Sequence, residues 1–171
     1  MRIYTHPEYL NHHVMDGHPE RPERLSHLMN HLSQIGLTQD FELVQPQPIP
    51  PERILAAHSQ SHVDFLTASK PKDGIVPLDP DTWMSPASLS AAELAAGAVF
   101  AGMDTVLNGA QRRVFCAVRP PGHHAERDSA MGFCLLNSVA IGALHALQQP
   151  GIEQVAIVDF DVHHGNGSVD I

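Results

Sequence analysis

Asp159, Asp161, His163 and His164 stand within six residues, directly after the aliphatic stretch Val155-Ala156-Ile157-Val158. A second histidine pair, His123-His124, follows another apolar run, Val114 to Val118. Carboxylates and imidazoles are the donors that hold zinc. Imidazole also titrates near neutrality, which suits it to take a proton from a reacting water and return it to a leaving group. Burying several ionisable groups without partners is costly, so a bound cation accounts for the acid–histidine cluster economically. The plainer alternative has the acids capping a following turn and His123-His124 merely solvating a loop.

Spacing narrows the metal set. Side chains two apart on a strand share one side, so Asp159, Asp161 and His163 would point the same way. Fully extended, Asp159 and His163 lie roughly 13 Å apart, whereas zinc holds its ligand atoms at about 2 Å. The three therefore do not reach one ion from a straight strand. The adjacent pair Asp161 and His163 does, leaving Asp159 to orient a ring or serve another cation.

The elements that must position these groups follow from pattern. Residues 2–5 and Phe41 to Val44 predict short strands, and the Leu25–Ile35 spacing predicts a helix stopped by Gly36. Residues 51–57 and 60–68 predict two short helices, and 70–84 a loop. Ser85-Pro86 predicts the cap of an Ala-rich helix over 87–107, closed by Asn108-Gly109. Val114 to Val118 predicts an apolar strand, Leu135 to Leu147 a helix and Val155 to Val158 a further buried strand. Continuous aliphatic strands alternating with helices imply an α/β fold, a parallel sheet flanked by helices on both faces. In such sheets ligands bind beyond the carboxyl ends of the strands, where both histidine pairs fall. One domain over 1–171 is expected.

Composition excludes several classes. Hydrophobic residues make up 43% of the 171, which argues against disorder. The formal charge of −9 disfavours a phosphate backbone as partner, so no nucleic acid is expected. No apolar run reads as a bilayer span and the first residues do not read as a signal peptide, so neither a membrane nor export is expected. Cys116 and Cys134 then read as reduced thiols of a cytoplasmic protein.

Three blocks carry a specific resemblance: Arg119-Pro120-Pro121-Gly122-His123-His124-Ala125, then Gly132-Phe133-Cys134-Leu135-Leu136-Asn137, then Asp159-Phe160-Asp161-Val162-His163-His164-Gly165-Asn166-Gly167. With His18-Pro19-Glu20-Arg21-Pro22, they resemble in order and spacing the signature blocks of the histone deacetylase superfamily. That group includes acetylpolyamine amidohydrolases and acetoin-utilisation proteins. The resemblance implies an arginase/deacetylase-like fold and zinc-dependent hydrolysis of an acetyl-lysine-type amide or an acetylated small-molecule amine. It implies Asp161 and His163 as zinc ligands, His124 as general base and His123 as its neighbour. Asp159 would partner His123 and share a potassium site with Asp161 and His163. Asn166 would partner His124; it resembles the class II type, where class I enzymes usually carry Asp. Gly132 and Phe133 would line the acyl-lysine tunnel, Asp81 would hold the substrate backbone, and Arg24 would line an internal channel behind the metal.

The chain also departs from that pattern. A third zinc ligand, an Asp, and an oxyanion-stabilising Tyr occur in the family after a point corresponding to Ile171, and neither has a counterpart here. The expectation is a domain incomplete at its C-terminus, with weakened zinc affinity and an inactive chain. Its last apolar strand would leave a sheet edge open to a second copy. The alternative is a non-catalytic deacetylase-like remnant acting as a binding or oligomerisation module. A DxD metal site for sugar or phosphoryl transfer would explain neither His123-His124 nor the Gly132-Phe133 block.

Overall fold

The computed structural model describes residues 1–171. In chain order it forms β1 (Arg2–Tyr4), α1 (Pro22–Gln34), β2 (Glu42–Val44), α2 (Pro51–Ile54), α3 (Gln60–Ser69), β3 (Val76–Pro77), β4 (Trp83–Met84), α4 (Ser88–Leu107), β5 (Val114–Cys116), α5 (Ser138–Leu147) and α6 (Asn166–Asp170). Single 3-10 turns occupy Pro7–Asn11 and Leu37–Gln39. The main sheet is parallel, in the order β2-β1-β5, with Tyr4 opposite both Val44 and Cys116.

Alternation of side chains across the sheet explains how both faces are covered. Tyr4, Val114 and Cys116 point toward α4, where a Cβ on Gly102 would touch all three. There the Tyr4 hydroxyl meets Thr105 Oγ1 at 2.7 Å. Ile3 and Phe115 point the other way, toward Leu25 and Leu28 of α1. The sheet thus lies between α4 and α1, as the aliphatic strands imply. A second apolar cluster lies beside it. Ile49, Ile54, Leu66 and Met84 pack there against Ala92 and Ala96 of α4 and Leu135, Leu136 and Ile141 around the start of α5.

The small residues of α4 serve this packing. α4 is long and apolar enough to meet a bilayer-span criterion, contrary to the sequence expectation, yet half of that stretch is buried inside the fold. It runs against α5 and β5 as a core helix.

Several local expectations need correction. Val155 to Val158 is not a strand: from Glu153 to His163 the backbone makes no hydrogen bond to other backbone. No neighbouring strand in this chain offers it a ladder, and Val158, Phe160 and Val162 are 83%, 97% and 92% exposed. Helix α5 starts at Ser138 rather than Leu135. Leu135 and Leu136 are spent in the core, and the Asn137 side chain caps the helix by accepting from Ala140 N–H at 3.0 Å. Helix α4 starts at Ser88 with Ala87 as its cap residue. Ser85 instead donates its own N–H to Ser88 Oγ at 2.7 Å. The predicted loop 70–84 contains the antiparallel pair β3–β4, β5 ends at Cys116, and α2 is a single turn.

Candidate active site

The loop after β5 is built on a buried ion pair. Arg119 donates to Glu20 from Nε and Nη2, each at 2.7 Å, with both side chains almost wholly buried. The same guanidinium donates to the Tyr9 carbonyl and, at 2.9 Å, to that of His12. His12 Nε2 lies 3.3 Å from Glu20, and its Nδ1 lies 2.6 Å from Ser88 Oγ. Burial alone would raise the Glu20 carboxyl, but the His12 and Arg119 hydrogen bonds outweigh it and hold the group at about 2. Sequence reading placed Glu20 only within a motif and gave Arg119 no role of its own. Their offset of 99 positions leaves no local signal for the pairing.

The loop is braced again downstream. His58, fully buried, donates from Nδ1 to the Glu126 carbonyl and accepts from Asn137 N–H at Nε2, both at 2.9 Å. Burial, then the neighbouring His62, lowers His58 to about 4, so it is a neutral strut. Asn137 Nδ2 donates to the Ala125 carbonyl at 3.2 Å. The turn α6 closes back on this loop. Ser168 N–H donates to the His123 carbonyl at 3.2 Å, and Arg127 N–H donates to Asp170 at 2.9 Å. That turn, rather than a strand pairing, brings the two histidine segments together.

The rings of His123 and His124 are tilted by 46° with centroids 4.0 Å apart, and His124 lies edge-on to His163 at 5.9 Å. His123 Nδ1 donates to Asp159 at 2.8 Å, and His124 Nδ1 donates to Asn166 Oδ1 at 2.6 Å. Asp159 is held below its ordinary range by the His123 hydrogen bond and then by Asp161 N–H. A Cβ at Gly165 would displace the Asp159 carboxylate from its present position against His123. Asp161 accepts from His163 N–H at 2.8 Å and from its Nδ1 at 3.1 Å, and the backbone bond leads in holding its pKa low.

These side chains open onto a cavity of about 300 Å³ lined by His123, His124, Asp161 and His163 on one side and Asp81, Gly132, Phe133, Glu20 and Arg24 on the other. Phe133 is the one non-glycine residue at positive φ, 70°. That uncommon conformation is held because its N–H donates to Thr82 Oγ1 at 3.0 Å and its ring meets His18 edge-on at 4.5 Å. Gly132, at φ 55°, packs so closely on His124 that a Cβ would overlap the ring. Asp81 accepts from Gly132 N–H and Thr82 Oγ1, both at 3.1 Å. His18 ties this rim to the Glu20 turn, accepting from Glu20 N–H at 3.1 Å and donating to the Asp81 carbonyl at 3.2 Å. His18 and Thr82 were not singled out from sequence. Arg24, 3.8 Å from Glu20, lines both this cavity and a smaller one of about 140 Å³ beside Leu25, Leu28 and Phe115. All ten expected site residues except Asp159 and Asn166 line the cavity of about 300 Å³. Those two stand behind His123 and His124. His164 takes no part.

Asp161 and His163 offer the oxygen and nitrogen donors zinc accepts. Their separation of 3.1 Å is close to the edge, roughly 3.3 Å, between two donors on one tetrahedral zinc. No three His, Cys, Asp or Glu side chains of this chain converge in a metal-holding arrangement. Asp161 and His163 are thus the donors this chain could offer a zinc ion at this site. Cys134 is buried, and desolvation pushes its thiol up to about 12.

A parallel α/β fold with histidines and carboxylates gathered past the strand ends has a clear counterpart. The crystal structure of the HDA15 HD domain superposes with a TM-score of 0.92 at 35% identity, covering 99% of this chain and 49% of that one. The fold is thus of the arginase/deacetylase-like α/β type. The histone deacetylase domain matches residues 18–171, and the chain belongs to the histone deacetylase family. It is 39% identical over 171 residues to a probable deacetylase of Archaeoglobus fulgidus, covering 99% of this chain and 47% of that protein. It is 38% identical over 153 residues to human polyamine deacetylase HDAC10, covering 86% of this chain and 23% of that protein. The chain spans about half the length of the archaeal relative and the structural neighbour.

Proposed function

We propose that this chain carries the proton-handling groups and two metal donors of a zinc-dependent amide hydrolase, acting on acetyl-lysine-type amides or acetylated polyamines. One observation carries the proposal. His124 is fixed through Nδ1 by Asn166, which leaves Nε2 as its free proton acceptor on a ring 5.9 Å from His163. Asp161 and His163 would hold the zinc, which supplies carbonyl polarisation and acidification of a bound water.

The remaining work falls to the chain. His124 Nε2 takes the proton from the attacking water and returns it to the leaving amine. Asp159 accepts from His123 Nδ1 and so fixes the orientation of that ring beside His124. Gly132 and Phe133 line the cavity where a methylene chain would pass, with His18 edge-on behind the Phe133 ring. Asp81, braced by Gly132 and Thr82, sits at that rim to hold the substrate's polar groups. Asp159, Asp161 and His163 would also frame a potassium ion. The resemblance puts a third zinc ligand and an oxyanion tyrosine in the part of the relatives that this chain does not span.

The test joins a fluorogenic acetyl-lysine assay and an acetylpolyamine assay on metal-loaded protein to zinc calorimetry. Turnover lost in His124→Ala, with zinc binding lost in Asp161→Ala, supports the hydrolase. Absence of both turnover and zinc binding in the wild type, with a stable oligomer in solution, would favour a non-catalytic binding module.

A further inference from the structure

Behind His124 the chain of contacts does not stop at Asn166. Asn166 Nδ2 donates to Glu126 Oε1 at 2.8 Å and also lies 3.3 Å from Met131 Sδ. Glu126 Oε2 accepts from Ser129 Oγ at 3.1 Å. Its backbone is fixed at both ends, the N–H to the Ser129 carbonyl at 3.0 Å and the carbonyl to His58. A carboxylate only accepts hydrogen bonds, so the Asn166 face toward Glu126 must be the NH2. The amide oxygen is then turned to His124, and Nδ1 must carry the ring proton.

We propose that Glu126 is a positioning residue for His124: its carboxylate fixes the Asn166 amide, and so sets the tautomer that leaves Nε2 unprotonated toward the cavity. This rests on His124 being the proton acceptor. The negative charge behind the active imidazole stands one amide away instead of directly on the ring, and it dictates an amide at 166. An Asp there would set two carboxylates within hydrogen-bond distance, where both do not stay ionised. His123 differs, because Asp159 touches it directly.

The primary readout is the His124 tautomer, from long-range nitrogen–proton NMR correlations on this chain above the imidazole titration. Wild type and Glu126→Gln, whose side-chain oxygen still accepts from Asn166, are expected to show the Nδ1–H form. Ser129→Ala, which removes only the neighbouring contact, is expected to match them. Glu126→Ala is expected to show mixed or inverted tautomers. In metal-loaded protein its kcat is expected to fall about 10- to 100-fold with KM within about twofold. Should Glu126→Ala not fold, a swap decides the matter. Asn166→Asp alone is expected to be impaired, and Asn166→Asp with Glu126→Gln to recover, since the glutamine amide then donates to the new carboxylate.

Retention of the Nδ1–H form in Glu126→Ala, or a double variant no better than Asn166→Asp, would overturn the proposal. The hydrolase reading fails separately. If wild type hydrolyses no amide while the tautomers shift as described, Glu126 positions the ring but the ring serves another reaction. If hydrolysis needs His124 and Glu126→Ala changes neither tautomer nor kcat, the enzyme stands and the role of Glu126 falls.

Discussion

The two halves of the site are built in opposite ways. From Arg119 to Asn137 the chain is tied down by contacts from distant positions: Glu20, Tyr9 and His12 grip Arg119, and His58 holds both Glu126 and Asn137. From Glu153 to His163 no backbone ladder forms, the apolar side chains face outward, and Asp161 and His163 bond chiefly each other. The half from Arg119 to Asn137 is therefore preorganised by this chain's own core. The half from Glu153 to His163 is anchored only where α6 and Asp159 touch the first. Stability and chemistry should accordingly separate under mutation.

The largest effect is expected in the braced half. Glu20→Ala strands the Arg119 guanidinium in the core and should cost about 3–5 kcal/mol, read from urea unfolding. Acid should find the same half in two stages. His58 titrates near 6.5 unfolded and about 4 folded, so folding favours its neutral form. Its contribution is complete above about pH 6.5 and is lost as pH falls toward 4, a gap of about 3 kcal/mol. Glu20 titrates near 4.5 unfolded and about 2 folded, so its contribution is complete above about 4.5 and is lost as pH falls through 2, again about 3 kcal/mol. Unfolding free energies across pH 2–7 should show both declines, and His58→Gln should flatten the upper one.

A smaller stability loss is expected at the seam. Gly132→Ala places a methyl on the His124 ring at a left-handed φ and should cost about 1–3 kcal/mol, with a larger proportional loss of turnover. The smallest belongs to the exposed half. Asp161→Ala and His163→Ala should change unfolding free energy by no more than about 0.5 kcal/mol while removing zinc binding. Losses of several kcal/mol there would erase the contrast between the halves.

The same contrast explains what was legible in the sequence. The β1 and β5 strands, α1 and α4 announce themselves by apolar period and by glycine stops, because each buries its own pattern. The Val155–Val158 stretch carries an equally clear strand pattern, yet it is unpaired, since a pattern states what a segment would bury and not whether a partner is present. Asp159, Asp161, His163 and the histidine pair were legible because their types and spacing are chemical. The roles of Glu20, Arg119, His18 and Thr82 were not, because they rest on contacts with Arg119, Glu20, Asp81 and Phe133 that lie far along the chain from them. Glu126 looked like any loop acid until Asn166 was seen to face it.

The most direct test of a single site shared by the two segments is cobalt(II) titration of this chain, followed by NMR of its histidine and phenylalanine rings. Paramagnetic shifts centred on His163 that also reach His124 and Phe133, and that vanish in Asp161→Ala, are the predicted result. Shifts that spare His124, or that persist unchanged in Asp161→Ala, would contradict it.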